Sequence, residues 1–397
     1  MYSQLDSLNA TGRITLRAAL AACALFGAAV SQAEAKFDWD EGLIVGADPW
    51  RATIGMQLNV DTGEVQDLPT AGARQSLLRR ARPSLSVAFG DHWSTRVDYE
   101  FGDISPGIKN AWVQWKPSEG IALRLGSQTA SFGLDAATGS QDYPFLERPI
   151  ASALAPGLLV GAELTLSRPH GSLSLGYFGD NVNDDDRRSL KGRSIVLRAA
   201  GNPLRGKRGL WHVGISGEYR TAADAAQFRL NPRPETFLDS PRLIDTGRLA
   251  AVDRLVNIGV ESALQHGPAI LQGEYLHGYL VRSATSAPSV DMNGWYASFG
   301  WMLTGERRGY SRGNGGFRGV KPRHAWGAFE VVARVGELDL SDADVDGGTQ
   351  RSATLGLNWY YRERMRVMLS YSRIEATTPG QPVLNPRVLA ARAQLSF

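Results

Sequence analysis

Apolar and polar residues alternate along most of this chain, in short runs separated by turn residues. Ala52 to Val60 puts Ile54, Met56, Leu58 and Val60 on one face, and Asp61-Thr62-Gly63 reads as a turn. Arg80 to Phe89 sets Leu85, Val87 and Phe89 against Arg80, Arg82, Ser84 and Ser86. After Gly90-Asp91, a second strand sets Trp93, Thr95, Val97, Tyr99 and Phe101 against Ser94, Arg96, Asp98 and Glu100. Similar runs follow at 110–116, 121–128, 160–166, 173–177, 195–199 and 211–219. Others cover 256–264, 271–281, 295–303, 329–335, 355–361 and 367–371. The count comes to about sixteen strands, with short turns alternating with long polar stretches such as 221–248 and 305–323.

The last run, Arg387 to Phe397, puts Leu389, Ala391, Ala393, Leu395 and Phe397 on one face. Ala390, Arg392, Gln394 and Ser396 occupy the other. An apolar face ending in an aromatic, backed by a face carrying a guanidinium, suits a strand between hydrocarbon and water. Alone, it also suits an amphipathic edge strand in a soluble sheet. A soluble sandwich, however, would keep its aromatics mid-strand. Trp93, Trp112, Trp115, Trp211, Trp295, Trp301, Trp326 and Trp359 lie mostly near strand ends, where interfacial girdles sit. No apolar window after Ala35 is long enough for a spanning helix, but a closed sheet crosses a membrane with every backbone group paired. The expected fold is all-β: one transmembrane antiparallel β-barrel.

Ahead of the alternation, Arg13 and Arg17 precede an apolar run from Ala18 to Val30 and then Ser31-Gln32-Ala33-Glu34-Ala35. This predicts a secretory signal peptide over residues 1–35, cleaved near Ala35, and a barrel domain over 36–397. The single cysteine, Cys23, falls inside that leader. The histidines, His92, His170, His212, His266, His277 and His324, show no metal spacing, and no phosphate-cradling or dinucleotide motif occurs. No enzyme, metal or cofactor is expected. Hydrophobic residues at 43% with a mean hydropathy of −0.22 fit strands that are half wetted, and fit a soluble protein equally. Only six of the 43 basic residues are lysine. Arginine presents a planar fork to phosphate and carboxylate oxygens, although a GC-rich genome gives the same bias.

The stretch 130–157 breaks the alternation. It holds Ala130-Ser131-Phe132-Gly133-Leu134-Asp135, then Tyr143-Pro144-Phe145-Leu146-Glu147-Arg148-Pro149. It is too apolar for a loop in water, and its prolines rule out a ladder strand. It reads as a third external loop folded back into the barrel, with Phe132, Asp135, Tyr143, Phe145, Glu147 and Arg148 at a constriction. Packing over the mouth or against a neighbouring subunit is the alternative.

Several segments resemble the phosphate-selective porin O and P family. They are Leu78-Arg79-Arg80-Ala81-Arg82 with Val97-Asp98-Tyr99-Glu100-Phe101, then Ile108-Lys109-Asn110-Ala111-Trp112-Val113-Gln114-Trp115, then Leu125-Gly126-Ser127-Gln128 with Phe132-Gly133-Leu134 and Phe145-Leu146-Glu147-Arg148. Together they cover roughly residues 77–150; elsewhere the likeness rests on strand count and the terminal phenylalanine. The resemblance implies a sixteen-stranded, usually trimeric channel in a Gram-negative outer membrane, with a constricting third loop and basic residues guiding anions. The implied partners are outer-membrane lipid and, through the strand ending at Phe397, the barrel-assembly machinery. No nucleic acid is expected.

By parity Arg80, Arg82, Arg96, Arg124, Arg198, Arg220, Arg334, Arg362 and Arg392 face inward. Fixed guanidinium groups along a pore lower the barrier for anions. Arg80, Arg82, Arg96 and Arg124 precede the constricting stretch and are the first candidates, with Lys109 and Lys116 beside them. Family members noted for phosphate carry more lysines there. Asp98, Glu100, Glu163, Glu218, Glu261, Glu274 and Glu330 share the inward face, so each arginine could instead be a salt bridge stiffening the wall. The expected function is passive diffusion of small anions, phosphate or polyphosphate-like, or of small polar solutes. Two alternatives stay open: a lipase-like barrel hydrolase, needing an exposed Ser/His pair although His212 faces inward, and a general or plugged structural barrel.

Overall fold

The structure is a computed structural model describing residues 34–397, apart from 40, 69–74, 105, 184–187, 207–208, 239–241 and 284–286. The leader expected over 1–35, with Cys23, lies outside these residues except for its last two positions. Two short strands come first, β1 (Glu34–Asp38) and β2 (Gly42–Ala47). Next are β3 (Trp50–Gln66), β4 (Gln75–Phe89), β5 (Trp93–Glu100), β6 (Gly107–Ser118), β7 (Ile121–Thr129), β8 (Leu158–Arg168) and β9 (Gly171–Phe178). They are followed by β10 (Arg188–Ser189), β11 (Gly192–Arg205), β12 (Gly209–Ala222), β13 (Arg229–Leu230), β14 (Val252–His266), β15 (Ala269–Arg282) and β16 (Val290–Met302). The last six are β17 (Arg308–Ser311), β18 (Gly316–Val320), β19 (Ala328–Asp342), β20 (Val345–Arg362), β21 (Met365–Thr377) and β22 (Arg387–Ser396).

Sixteen of these strands pair antiparallel with their chain neighbours, and β22 closes the ring on β3, with Ala391 opposite Thr62 and Leu395 opposite Leu58. Closure leaves no sheet edge to satisfy, which is what hydrocarbon demands of a backbone. Strand β3 runs unbroken through Asp61-Thr62-Gly63, correcting the turn expected there. Pairing with β22 supplies the tertiary hydrogen bonds that override the local turn signal, and it aims Asp61 at Arg392. The β1–β2 hairpin lies outside the ring, pairing with β3 over Trp50 to Ile54.

The two faces of the ring differ as alternation predicts. On the closing strand Leu389 is 52% exposed and Arg392 only 2%. Exposed Leu85, Val97, Leu125, Leu175, Ile215, Val260 and Leu357 continue the outer apolar face, the surface that suits lipid. Exposed Trp93, Trp115, Trp211, Trp301 and Trp359 gather near one end of the ring, where Trp93 and Trp115 stack at 6.1 Å. Tyr99, Tyr177, Tyr219 and Tyr279 mark the other end. Trp112 does not belong to either belt: it lies under the Arg124 guanidinium, 4.5 Å from its ring centre, on the inner face.

Phe397 and Trp50 share the end at which strands are joined by short turns at 90–92, 119–120, 169–170, 267–268 and 363–364. The opposite end carries the longer connections, the third being 130–157 and the fifth 223–251. One long stretch is out of place: 305–323 belongs to the 303–327 connection from β16 to β19, at the short-turn end. Its β17–β18 hairpin packs Phe317 with Leu134, Leu210, Ala263 and Ile270.

Near the loop end the inner face of β14–β20 is itself apolar. Leu255, Leu280, Met292 and Leu338 are buried there against Ile150 and Leu154 of the 130–157 stretch and Leu238 and Ile244 of the 223–251 stretch. Two connections thus share a hydrophobic core with one side of the wall.

Candidate functional site

Inside the 130–157 stretch, α1 (Gly133–Ala137) and a 3₁₀ turn (Ile150–Leu154) replace strand structure. Gly133 sits at φ +75°, and a Cβ there would meet Glu274 Oε2 at 2.4 Å, so glycine is required at that approach. The Asp135 amide donates to Glu274 at 2.5 Å, and Arg148 binds Asp135 at 2.8 Å and the Thr138 carbonyl at 2.9 Å. Burial opposes the Arg148 charge, but Asp135 outweighs it and raises the guanidinium pKa above its usual value.

Wall side chains hold this stretch from three directions. Asn358 donates to the Pro144 carbonyl at 2.8 Å, and Gln394 to the Gln141 carbonyl at 3.0 Å. Arg334 donates to Tyr143 Oη at 3.1 Å and to the Glu147 carbonyl at 2.9 Å, with its guanidinium 4.4 Å from the Phe145 ring centre. Arg79 binds Glu147 through two hydrogen bonds of 2.6 and 2.8 Å, and Arg392 binds the same carboxylate at 2.7 Å. Burial would raise the Glu147 pKa, yet Arg79 and Arg392 together outweigh it and hold it at about 2.

The seven inward carboxylates are all buried. Five are matched to arginine: Asp98 to Arg96, Glu100 to Arg82, Glu218 to Arg188, Glu261 to Arg198 and Glu330 to Arg308. Arg220 pairs with Asp180, Arg334 with Glu235, and Arg392 with Asp61 as well as Glu147. Most of the candidate arginines are therefore wall struts. Arg80 differs: its buried Nε and Nη1 have no hydrogen-bond partner among the described residues. Arg124 is held by neutral groups, donating to Gln114 at 2.8 Å.

Two open volumes flank α1, about 670 Å³ toward the turn end and about 410 Å³ toward the loop end. Arg80, Arg82, Lys109, Arg148, Thr129 and Ala136 line both. The structure thus brings the basic candidates of β4 and β6 together with Arg148 at one level. Arg96 lines only the turn-side volume, and Arg124 a smaller neighbouring one of about 290 Å³.

Two expected pore residues are elsewhere. Lys116 is exposed near the turn end of β6, lining none of these volumes. Arg362 is also exposed, because the β20–β21 register shifts between Tyr360 and Arg362; Arg364 lines the turn-side volume instead. Strict parity also missed Arg79. The β3–β4 register passes from Arg80 to Leu78, leaving Arg79 as an extra bulge residue turned inward. Strand β6 does the same for Lys109, between Asn110 opposite Asp98 and Ile108 opposite Tyr99. The adjacent pair Arg79-Arg80 is the available signal, since strict alternation would force one of them into lipid.

His212 is buried, with Nδ1 at 2.8 Å from Tyr310 Oη and Nε2 at 2.9 Å from Glu261. Both ring nitrogens are occupied, so the Ser/His arrangement of a barrel hydrolase does not form there.

The phosphate-selective porin O and P family matches residues 53–397. The chain belongs to that family. Porin O of Pseudomonas aeruginosa is 25% identical over 336 residues, covering 75% of this chain and 76% of its own. Among solved structures, the outer membrane channel DcaP of Acinetobacter baumannii superposes with a TM-score of 0.60 at 9% identity, over 88% of this chain and 97% of its own. An anion-selective porin from Comamonas acidovorans gives 0.55 at 11% identity, over 88% and 100%. Family and fold make this protein an outer-membrane porin, a channel and not an enzyme.

Proposed function

We propose that this porin passes small anions down their gradients along the β4–β7 side of the barrel, with phosphate-like oxyanions among them. The observation that carries this is the asymmetry of the lumen. The basic level at Arg80, Arg82, Lys109 and Arg148 lies where the two open volumes meet, and Arg80 keeps two donors without a partner among the described residues. The carboxylates beside it are taken: Asp98 by Arg96 and Asn110, Glu100 by Arg82 and the Ala81 amide. A fixed, partly desolvated guanidinium next to neutralised acids leaves a net attraction for anions. The kinship to Porin O and the likeness to an anion-selective porin support the same reading.

The 130–157 stretch is the constriction in this proposal, its wall contacts reaching from Arg79 of β4 to Glu274 of β15 across the ring. The short-turn end, with Phe397, faces the periplasm, as in other barrels of this kind. Cleavage near Ala35 leaves Lys36-Phe37-Asp38 of β1 in place. Three copies assemble through the exposed apolar face, an arrangement supported by the trimer form of OmpT of Vibrio cholerae, a structural neighbour with a TM-score of 0.56 at 11% identity.

The test is the reversal potential of the refolded protein in planar bilayers under a potassium chloride gradient. A potential toward the chloride equilibrium value supports the anion path. A cation-selective potential overturns it, and no conductance at all means that the packed connections plug the barrel.

A further inference from the structure

The two volumes on either side of the basic level differ in chemistry. The turn-side one is walled by hydroxyl and amide side chains, among them Thr53, Gln57, Ser84, Ser86 and Gln141. The loop-side one, about 410 Å³, sets Phe132, Phe237, Leu276, Pro156 and Ile104 around the same arginines. Phe237 comes from the 223–251 connection and is half-buried, with the Arg79 guanidinium 3.9 Å and that of Arg233 5.5 Å from its ring centre.

An inorganic oxyanion gains nothing from the apolar part of this wall, where it would give up water against carbon. The carboxylates of this volume are engaged: Glu100 by Arg82, Asp135 by Arg148, and Glu274 by the Tyr296 hydroxyl at 2.6 Å. Among the cations that line this half-apolar chamber, Arg80 is the one whose buried Nε and Nη1 have no partner among the described residues. Apolar side chains on one side and a cluster of cations that includes Arg80 on the other match a ligand with an apolar body and an anionic head.

We propose that the loop-side chamber selects organic anions carrying an aromatic body, of the benzoate class, ahead of inorganic phosphate and of short aliphatic carboxylates. The carboxylate reaches Arg80 while the ring lies against Phe237, with the edge of buried Phe132 behind it. This deepens the anion-channel reading and rests on it.

The experiment compares sodium benzoate, sodium acetate and inorganic phosphate as blockers of the chloride current through the refolded full chain at neutral pH. Aromatic contact of this kind predicts half-block by benzoate at a concentration roughly threefold to tenfold below that for acetate. Phe237→Ala should bring the two concentrations together, and Phe237→Tyr, which keeps a ring, should hold them apart. Equal block by benzoate and acetate in the unaltered protein overturns the proposal while leaving anion selectivity standing. A reversal potential without chloride preference removes the underlying reading as well. If Phe237→Ala fails to refold, the comparison of the three blockers on the unaltered protein still decides.

Discussion

Arg392 on the closing strand and Glu147 in the third connection meet at 2.7 Å across 245 positions of sequence. The same guanidinium holds Asp61 of β3 at 2.6 Å, so one side chain joins the ring seam to the third connection. Removing one member of a buried, hydrogen-bonded ion pair costs about 3–5 kcal/mol, because the other charges stay behind unpaired. Arg392→Ala should therefore lower stability by about that amount in denaturant titrations of the vesicle-folded protein. Arg79→Ala also takes a buried partner from Glu147 but leaves the Arg392–Asp61 bonds of the seam intact, so it should cost less than Arg392→Ala, which unpairs two carboxylates, and should increase current noise as the third connection loosens. Equal stability losses in the two variants would show that seam and segment are not joined through Arg392.

Acid should act on the same cluster only at low pH. Glu147 is held at about 2, below its ordinary range, so its contribution is fully present above the usual carboxylate pKa. That contribution is lost as pH falls through the folded value. Single-channel conductance should accordingly carry no Glu147 step between neutral pH and pH 4, and Glu147→Gln should change conductance already at neutral pH. A wild-type transition near pH 4.5 that Glu147→Gln abolishes would contradict this.

Selectivity and stability should separate along the arginines. Arg80→Ala removes a side chain with unpartnered donors beside both open volumes and should shift the reversal potential away from chloride. Arg198→Ala breaks a buried pair with Glu261 and two bonds to the Asn314 and Gly315 carbonyls. Its effect should fall mainly on stability, about 3–5 kcal/mol, with less change in reversal potential than Arg80→Ala gives. The reverse ranking of the two potentials would refute the assignment.

The β17–β18 hairpin meets the third connection from the opposite end of the barrel. Asn314 Nδ2 donates to the Ala137 carbonyl at 3.0 Å, and a Cβ on Gly316 would stand 2.3 Å from that oxygen. Gly316→Val must push the hairpin and α1 apart, so conductance should rise while the anion preference, set at Arg80, persists. Unchanged conductance in a folded Gly316→Val channel would mean that the two elements do not share the opening.

Much of this was legible because a barrel wall enforces a period of two. The closing strand, the outer leucines and the seven inward carboxylates all follow from that alternation, since each residue must choose between lipid and lumen. The exceptions are places where the ladder itself slips. Arg79 and Lys109 are turned inward by bulges, and Arg362 is turned outward by a shift at the end of β20. Such slips are fixed by which residue faces which across two strands, a relation far apart in the sequence. The end of the barrel to which 305–323 belongs is not legible, because long polar segments look alike at either end. Its inward side is marked by Tyr310 and Phe317 and by Arg308, whose partner Glu330 lies 22 positions on.

The outer face offers a test of the membrane assignment that does not depend on the pore. Val260 is exposed midway along β14, whereas exposed Leu303 follows the end of β16 beside the tryptophan belt. Arginine on a lipid face costs about 2–4 kcal/mol at the bilayer midplane and about 0–1 kcal/mol near the interface. Val260→Arg should therefore destabilise the vesicle-folded protein by several times more than Leu303→Arg, measured as the shift in denaturant midpoint. If Val260 instead lies in a subunit contact, the same substitution should shift the oligomer in cross-linking at detergent concentrations where Leu303→Arg does not. Similar small losses at both positions, with no change in assembly, would mean that this band does not meet hydrocarbon.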